Sequence, residues 1–258
     1  MSSTPSVLLS QSGSVVTLTL NRADRLNALD SEMACVLLEA IAAIEKNTTA
    51  RLVVLRGEGR SFCAGGDVAA MYENRDDLPA FIDKTITPFH ACVLAIQRLS
   101  APVIACVHGA LAGGGFSLAM ACDFVVATRS ARFVVAYPSL GAPADGGLSF
   151  FLVQRLGSAR ALEALTTGGQ FTSGQALNLG LVNRLVEDDH LQRETDQWAA
   201  DLLALPSQSL TELKALVKAQ SIPALEVHLE REKSAFLRCA ATDDFAARVA
   251  SFSKKRSA

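Results

Sequence analysis

Short apolar segments of strand length alternate with helix-patterned segments through the first three quarters of the chain. The strand candidates are 14–20, 52–56, 103–107 and 123–127. After Asp30 and Ser31, which are suited to cap a helix, apolar residues recur at helical spacing, and a second helix is predicted over 79–99 with Pro88 as a kink or interruption. Strands that alternate with helices are typical of βαβ units, so the sequence predicts a layered α/β core.

The pattern changes after about residue 190. Four consecutive segments have helical patterns, namely 189–205, 206–220, 222–240 and 243–254. Pro206 and Pro223 mark the separations between them. We therefore predict a core over residues 1–195 and a helical C-terminal region over residues 196–258.

Composition narrows the class of protein. Half of the 258 residues are hydrophobic, and 24 basic against 26 acidic side chains give a formal net charge of -2. This balance predicts neither a nucleic-acid nor a membrane partner, and no apolar run reaches the roughly 18 residues of a membrane span. Six cysteines without CxxC spacing and an N-terminus without a secretory pattern predict a cytoplasmic protein. Four scattered histidines predict no metal site.

Two glycine-rich loops each follow a predicted strand and lead into a helix. They are residues 61–67 (SFCAGGD) and 108–117 (HGALAGGGFS). Each could be a plain turn, with Asp67 capping a helix and the glycines allowing close packing. Together, two free N–H groups could converge on one oxygen. Such an oxyanion hole is typically worth ~3–4 kcal/mol per donor in the transition state.

A third loop, residues 133–147, joins a predicted strand to a helix, and Asp145 is its only carboxylate. One interpretation makes Asp145 a helix N-cap or turn residue. The other makes it a base on a loop beside an apolar pocket. Spacing alone leaves both open.

With these loops in order, the sequence resembles the crotonase (enoyl-CoA hydratase/isomerase) superfamily over nearly its whole length. The matching stretches are 21–22, 27–29, 62–67, 110–115, 119–123, 140–141, 154–157, 161–169, 176–186, 244–245 and 251–256. The resemblance implies an α/β fold, a crotonase-like spiral of ββα turns with a helical C-terminal trimerisation region, and a homotrimer or a dimer of trimers.

The resemblance also implies a ligand and its contacts. The carbonyl oxygen of an acyl-CoA thioester would accept hydrogen bonds from the N–H groups of Gly66 and Gly114. Coenzyme A is then part of the substrate, and no permanently bound cofactor is expected. The resemblance places CoA along Ala28, Ala64, Gly66 and Val68, and it places Phe252 and Lys255 at the CoA site of a neighbouring subunit.

The departures from the hydratase pattern indicate which reaction to expect. Ser117 and Tyr137 stand where the two catalytic glutamates of family hydratases lie, whereas Asp145 occupies a position that superfamily isomerases use for their acid. We therefore predict an enoyl-CoA isomerase that moves a 3-double bond to the 2-position with Asp145 as the base. Tyr137 could hydrogen-bond this site or be ordinary core, and Ser117 could orient a water or have no role.

Three alternatives stay open. The chain could be a divergent hydratase, or a thioester hydrolase in which Asp145 activates water. It could also be a non-catalytic acyl-CoA-binding subunit that kept the fold and lost both glutamates.

Overall fold

A computed structural model describes residues 5–256, the last four through their backbone alone. The strands form a six-stranded sheet in the order β1-β2-β3-β4-β6-β9 and a three-stranded sheet in the order β5-β7-β8. Their bounds are β1 Val7–Ser12, β2 Val15–Leu20, β3 Leu52–Gly57, β4 Val103–Val107, β5 Ala110–Ala112, β6 Phe124–Thr128, β7 Arg132–Val134, β8 Gln170–Thr172 and β9 Arg184–Val186.

The larger sheet explains why the strand-length segments are so apolar. Only β1 and β2 pair antiparallel, and the remaining neighbours are parallel. A parallel sheet covered on both faces buries every side chain, and all five residues of β4 are buried. The four predicted strands are confirmed as β2, β3, β4 and β6, whereas β1 was not predicted.

Helices cover both sheets. Their bounds are α1 Ser31–Glu45, α2 Val68–Glu73, α3 Leu78–Arg98, α4 Gly114–Ala121, α5 Tyr137–Leu140, α6 Leu148–Leu156, α7 Ser158–Thr167, α8 Ser173–Asn178, α9 Leu191–Leu203, α10 Ser207–Lys218, α11 Ser221–Ala240 and α12 Asp243–Arg256. Asp30 caps α1 by accepting a hydrogen bond from the Met33 N–H at 2.8 Å, as predicted. Helix α3 continues through Pro88.

The helical C-terminal region is present, but no break occurs at the predicted boundary between residues 195 and 196. That boundary falls within α9, a continuous helix over Leu191–Leu203. Helix α9 packs on β4 and β6 of the larger sheet. Its Trp198 ring lies 5.0 Å from the Phe124 ring. Helices α10 to α12 follow, and α11 packs along α3 while α12 contacts α2 and α5. Within residues 5–256 no helix combines the length and the hydropathy of a bilayer span.

Candidate active site

The two glycine-rich loops lie side by side. The Cys63 N–H donates to the Ala110 carbonyl at 3.4 Å, and the Ala112 N–H donates to the Cys63 carbonyl at 3.2 Å. A Cβ on Gly115 would stand 2.1 Å from that same Cys63 oxygen. Glycine at 115 therefore allows the close approach that brings the second loop against the first.

Two N–H groups of these loops are free to bind an oxygen. Gly114 is the first residue of α4, so its N–H has no partner inside the helix. Gly66 lies within the first loop and forms a parallel bridge with Leu29. Both glycines line one cavity of about 650 Å³, and neither N–H donates to a protein atom in the part of the chain that the structure describes.

Arg22 fastens the first loop to the preceding segment. Its guanidinium pairs with Asp30 at 2.8 Å and with Asp67 at 3.1 Å, and it donates to the Ala28 carbonyl. Asp67 in turn caps α2 by accepting from the Ala70 N–H at 3.2 Å. Asp67 is therefore an N-cap, as the plain interpretation of this loop predicted, and the loop still presents Gly66 to the cavity.

Asp145 does not cap a helix. Helix α6 begins after Gly147 and has no side-chain cap at that residue. The Asp145 carboxyl is buried and lines the cavity, where its Oδ1 accepts a hydrogen bond from the Tyr137 hydroxyl at 2.5 Å. The Ser117 hydroxyl donates to the Asp145 backbone carbonyl at 2.7 Å. The interpretation of Asp145 as an N-cap is wrong, and its carboxyl faces the cavity.

The surroundings of Asp145 set its proton affinity. Burial raises its pKa to about 7, the hydrogen bond from Tyr137 opposes this rise, and the negative charge of Glu232 adds to it. Burial also raises the pKa of Tyr137 well above its usual value, so this phenol stays a neutral donor. Burial raises the pKa of Cys63 to about 12, and its thiol is therefore inert at neutral pH.

The cavity wall is mainly apolar. In the described part of the chain Asp145 is the only carboxylate that lines it, and no cluster of His, Cys, Asp and Glu there could hold a metal ion. The apolar lining around the acid and the glycines includes Leu29, Val68, Met71, Phe81, Ile82, Ile86, Phe89 and Phe236. Such a wall suits the apolar part of a ligand that lies beside the acid.

The structure brings most of the predicted site residues to this cavity. Ala64, Val68, Tyr137 and Phe252 line it together with both glycines and Asp145. Ala28 is buried next to the cavity and Ser117 lies behind Asp145, but neither reaches the wall.

One of the two C-terminal site residues lies at the cavity of its own chain. We expected Phe252 at the site of a neighbouring subunit, whereas α12 folds over α2 and α5 and places Phe252 at the cavity of its own chain. The side chain of Lys255 lies outside the described residues.

Sequence reasoning missed two residues that hold the turn after Asp145. His90 on α3 accepts a hydrogen bond from the Gly146 N–H at 3.0 Å, and Glu232 on α11 accepts one from the Gly147 N–H at 2.6 Å. Both are buried polar residues on otherwise ordinary amphipathic helices, 56 and 85 residues from their partners. No local motif marks them, and a polar residue at a core position of a helix was the one available sign.

Comparison with known proteins identifies the architecture of this site. The family model described as enoyl-CoA hydratase/isomerase matches residues 10–258. The chain belongs to the enoyl-CoA hydratase/isomerase family. Its crotonase-type fold is shared with the crystal structure of an enoyl-CoA hydratase from Bacillus halodurans at a TM-score of 0.90 and 25% identity, over 95% of this chain and 99% of the other.

Relatives within the enoyl-CoA hydratase/isomerase family carry the names of different reactions. A 1,2-epoxyphenylacetyl-CoA isomerase of Escherichia coli is 34% identical over 94% of this chain and 93% of its own length. A probable enoyl-CoA hydratase of Mycobacterium tuberculosis is also 34% identical, over 84% of this chain and 79% of its own length. Family membership makes the chain an acyl-CoA enzyme, and its own residues must indicate the reaction.

Proposed function

We propose that this protein is an enoyl-CoA isomerase that moves a double bond from the 3-position to the 2-position of an acyl-CoA. One observation carries the proposal: a single carboxylate, Asp145, shares a largely apolar cavity with the N–H groups of Gly66 and Gly114. Moving a double bond needs one group that removes a proton and returns it elsewhere, so one carboxylate is enough.

The proposed reaction begins at the thioester carbonyl. Its oxygen accepts hydrogen bonds from Gly66 and Gly114, and these bonds strengthen as negative charge develops on the oxygen. Asp145 removes a proton from C2, and the electron pair of that C–H bond delocalises over the C3–C4 double bond and the thioester as a dienolate. The same proton returns to C4. A double bond between C2 and C3 remains, Asp145 is again ionised, and no other reactant is consumed.

The environment of Asp145 suits both halves of this cycle. An acid whose pKa is about 7 can accept a proton and release it again near neutral pH. The Tyr137 hydroxyl orients the carboxylate and stabilises its ionised form. The apolar wall keeps water away, so the dienolate is protonated by Asp145 rather than by solvent.

The positions that family hydratases use for glutamates serve a different purpose here. The Ser117 hydroxyl is engaged with the Asp145 carbonyl, and the Tyr137 hydroxyl is engaged with the Asp145 carboxyl. Neither is a second carboxylate that could activate a water, which disfavours hydration. The name of the Escherichia coli relative, an isomerase, agrees with this choice.

Substrate binding and assembly follow the resemblance. We propose that CoA lies along Ala64, Gly66 and Val68 beside Ala28, with Phe252 at the cavity. A homotrimer or a dimer of trimers is supported by α10, which buries none of its residues in one chain and exposes Leu213, Leu216 and Val217. A cytoplasmic location remains the proposal from composition.

Product analysis tests this function. Purified protein is incubated with trans-3-hexenoyl-CoA, and the products are separated and identified by NMR. A 2-enoyl-CoA product supports the proposal. A 3-hydroxyacyl-CoA would show a hydratase, free CoA would show a hydrolase, and bound but unchanged ligand would show a non-catalytic binder.

The origin of the proton at C4 tests the single base. With substrate deuterated at C2, one shielded carboxylate should return part of the label to C4. Complete loss of label to solvent in single-turnover experiments would indicate separate bases or an open site.

A further inference from the structure

The turn that follows Asp145 is held from the C-terminal region of the chain. Gly146 and Gly147 both have left-handed backbone conformations, with φ of +60° and +79°, and α6 starts directly after them. A Cβ on Gly146 would stand 2.4 Å from the Phe89 ring. The chain thus turns sharply between the carboxyl of Asp145 and the first N–H groups of α6.

Glu232 occupies the place of the missing cap. Its carboxylate accepts hydrogen bonds from the Gly147 N–H at 2.6 Å, from the Ser149 N–H at 3.2 Å and from the Ser149 hydroxyl at 2.5 Å. Only 5% of Glu232 is exposed. A carboxylate at the first N–H groups of a helix is favoured by the helix dipole. Glu232 therefore caps the N-terminus of α6, a position that a nearby side chain such as Asp145 would otherwise be suited to cap.

We propose that Glu232 is a positioning residue for the base: by capping α6 from α11 with a buried negative charge, it leaves the Asp145 carboxylate directed into the cavity. This inference rests on the proposed function of Asp145. Nothing in the reaction requires Glu232 to touch the substrate, and it does not line the cavity.

The charge of Glu232 acts on Asp145 through the same arrangement. Burial is the main cause of the raised pKa of Asp145, and the negative charge of Glu232 raises this pKa further. The other titratable groups around the turn are Tyr137 on α5, His90 on α3, and His228 and Lys233 on α11. Burial lowers the pKa of His90 to about 4, so it is a neutral acceptor for the Gly146 N–H.

The two remaining groups face other partners. His228 Nε2 lies within hydrogen-bond distance of the Ser149 hydroxyl, at 2.6 Å, and 3.5 Å from Glu232 Oε1. Lys233 pairs with Asp83 at 2.8 Å. Glu232 is therefore the nearby anion whose removal should make Asp145 more acidic.

The experiment compares Glu232→Gln with Glu230→Gln, which makes the same change at an exposed position of the same helix. The midpoint of the Asp145 carboxyl is followed by carbon-13 NMR, with Asp145→Asn for assignment, and kcat and KM for trans-3-hexenoyl-CoA are measured across pH. In Glu232→Gln we expect the midpoint to move to lower pH and kcat to fall roughly 10- to 100-fold, with a smaller change in KM. Glu230→Gln should match the wild type.

An unchanged Asp145 midpoint together with wild-type kcat in Glu232→Gln would overturn the inference. The NMR titration needs no turnover, so it tests Glu232 even if the protein does not isomerise this substrate. If Glu232→Gln fails to fold, Glu232→Asp keeps the charge and withdraws the carboxylate. In Glu232→Asp the titration midpoint of Asp145 should stay at its wild-type value, whereas kcat should fall. A wild-type kcat in Glu232→Asp would equally overturn the inference.

Discussion

The hydroxyl of Tyr137 lies 2.5 Å from Oδ1 of Asp145, and both side chains are buried at the cavity. This hydrogen bond stabilises the ionised carboxylate and so lowers the pKa that burial raises. The sequence resemblance places Tyr137 where family hydratases have a glutamate, and here its hydroxyl donates to the Asp145 carboxyl instead.

Tyr137→Phe should weaken the base at neutral pH. Without the donor the pKa of Asp145 rises further, so less of it is ionised, and we expect kcat/KM at about pH 7 to fall about tenfold. The loss should shrink as pH increases, because the carboxyl ionises in the variant too. The pH profile of kcat/KM measures this, and a loss that is equal at all pH values would contradict the assigned role.

Gly115→Ala should separate the two glycine-rich loops. The new Cβ would stand 2.1 Å from the Cys63 carbonyl oxygen, a backbone atom that cannot rotate away. We expect the free energy of unfolding to fall by about 1–3 kcal/mol and isomerase activity to be lost with it. Urea denaturation and the isomerase assay measure the two effects.

Gly174→Ala is the control for that change. Gly174 lies in α8, and a Cβ there would meet no atom within 4 Å. Alanine is the better helix former, so this variant should be as stable as the wild type or more stable by up to about 1 kcal/mol. Equal stability of the two variants would refute the steric account of Gly115.

Arg22→Ala should loosen the loop that carries Gly66. It removes the cation shared by Asp30 and Asp67, and Asp67 is buried. Removing one partner of a buried pair leaves an uncompensated charge, and we expect a loss of up to about 3 kcal/mol in unfolding free energy. Arg25→Ala is the control. Arg25 is half exposed and its pair with Asp24 is long, at 3.9 Å, so the unfolding free energy should change little.

Asp145→Asn should stabilise the fold at high pH. The carboxyl has a pKa of about 7 in the folded protein against 3.8 in the unfolded chain, so between these values the folded state binds the extra proton. The unfolding free energy of the wild type therefore falls as pH rises through this window. Asparagine does not titrate, so the unfolding free energy of Asp145→Asn does not fall in this way. Its difference from the wild type should grow from near zero at about pH 4 to as much as about 4 kcal/mol above pH 7. Urea denaturation across this range measures the difference, and a constant difference would contradict a raised pKa.

Local patterns predicted much of the fold. The buried strands and α1 were predicted because their apolar periodicity and the Asp30 cap involve residues that lie close together in the sequence. Strand β1 was missed because only Val7 of its six residues is buried, which leaves no alternation to detect. The predicted boundary at 195 falls inside α9, since a helix that packs on a sheet and one that packs on other helices share the same amphipathic pattern.

The candidate site was predictable where its chemistry is local. Two glycine loops and one acid in a third loop stand out along the chain, and the structure brings Gly66, Gly114 and Asp145 to one cavity. The contacts of Glu232 and His90 could not be predicted, because they join residues far apart in the chain through ordinary helices. Glu232, and not Asp145, accepts the hydrogen bonds at the start of α6, and no local pattern in the sequence distinguishes the two.

The role of Asp145 is tested by the conversion of trans-3-hexenoyl-CoA by wild type and Asp145→Asn, with ligand binding measured in parallel. If Asp145 is the base, the wild type gives a 2-enoyl-CoA product, and the variant loses about 10²- to 10⁴-fold in kcat while it retains binding. Undiminished isomerisation by Asp145→Asn would contradict the assignment of Asp145 as the base.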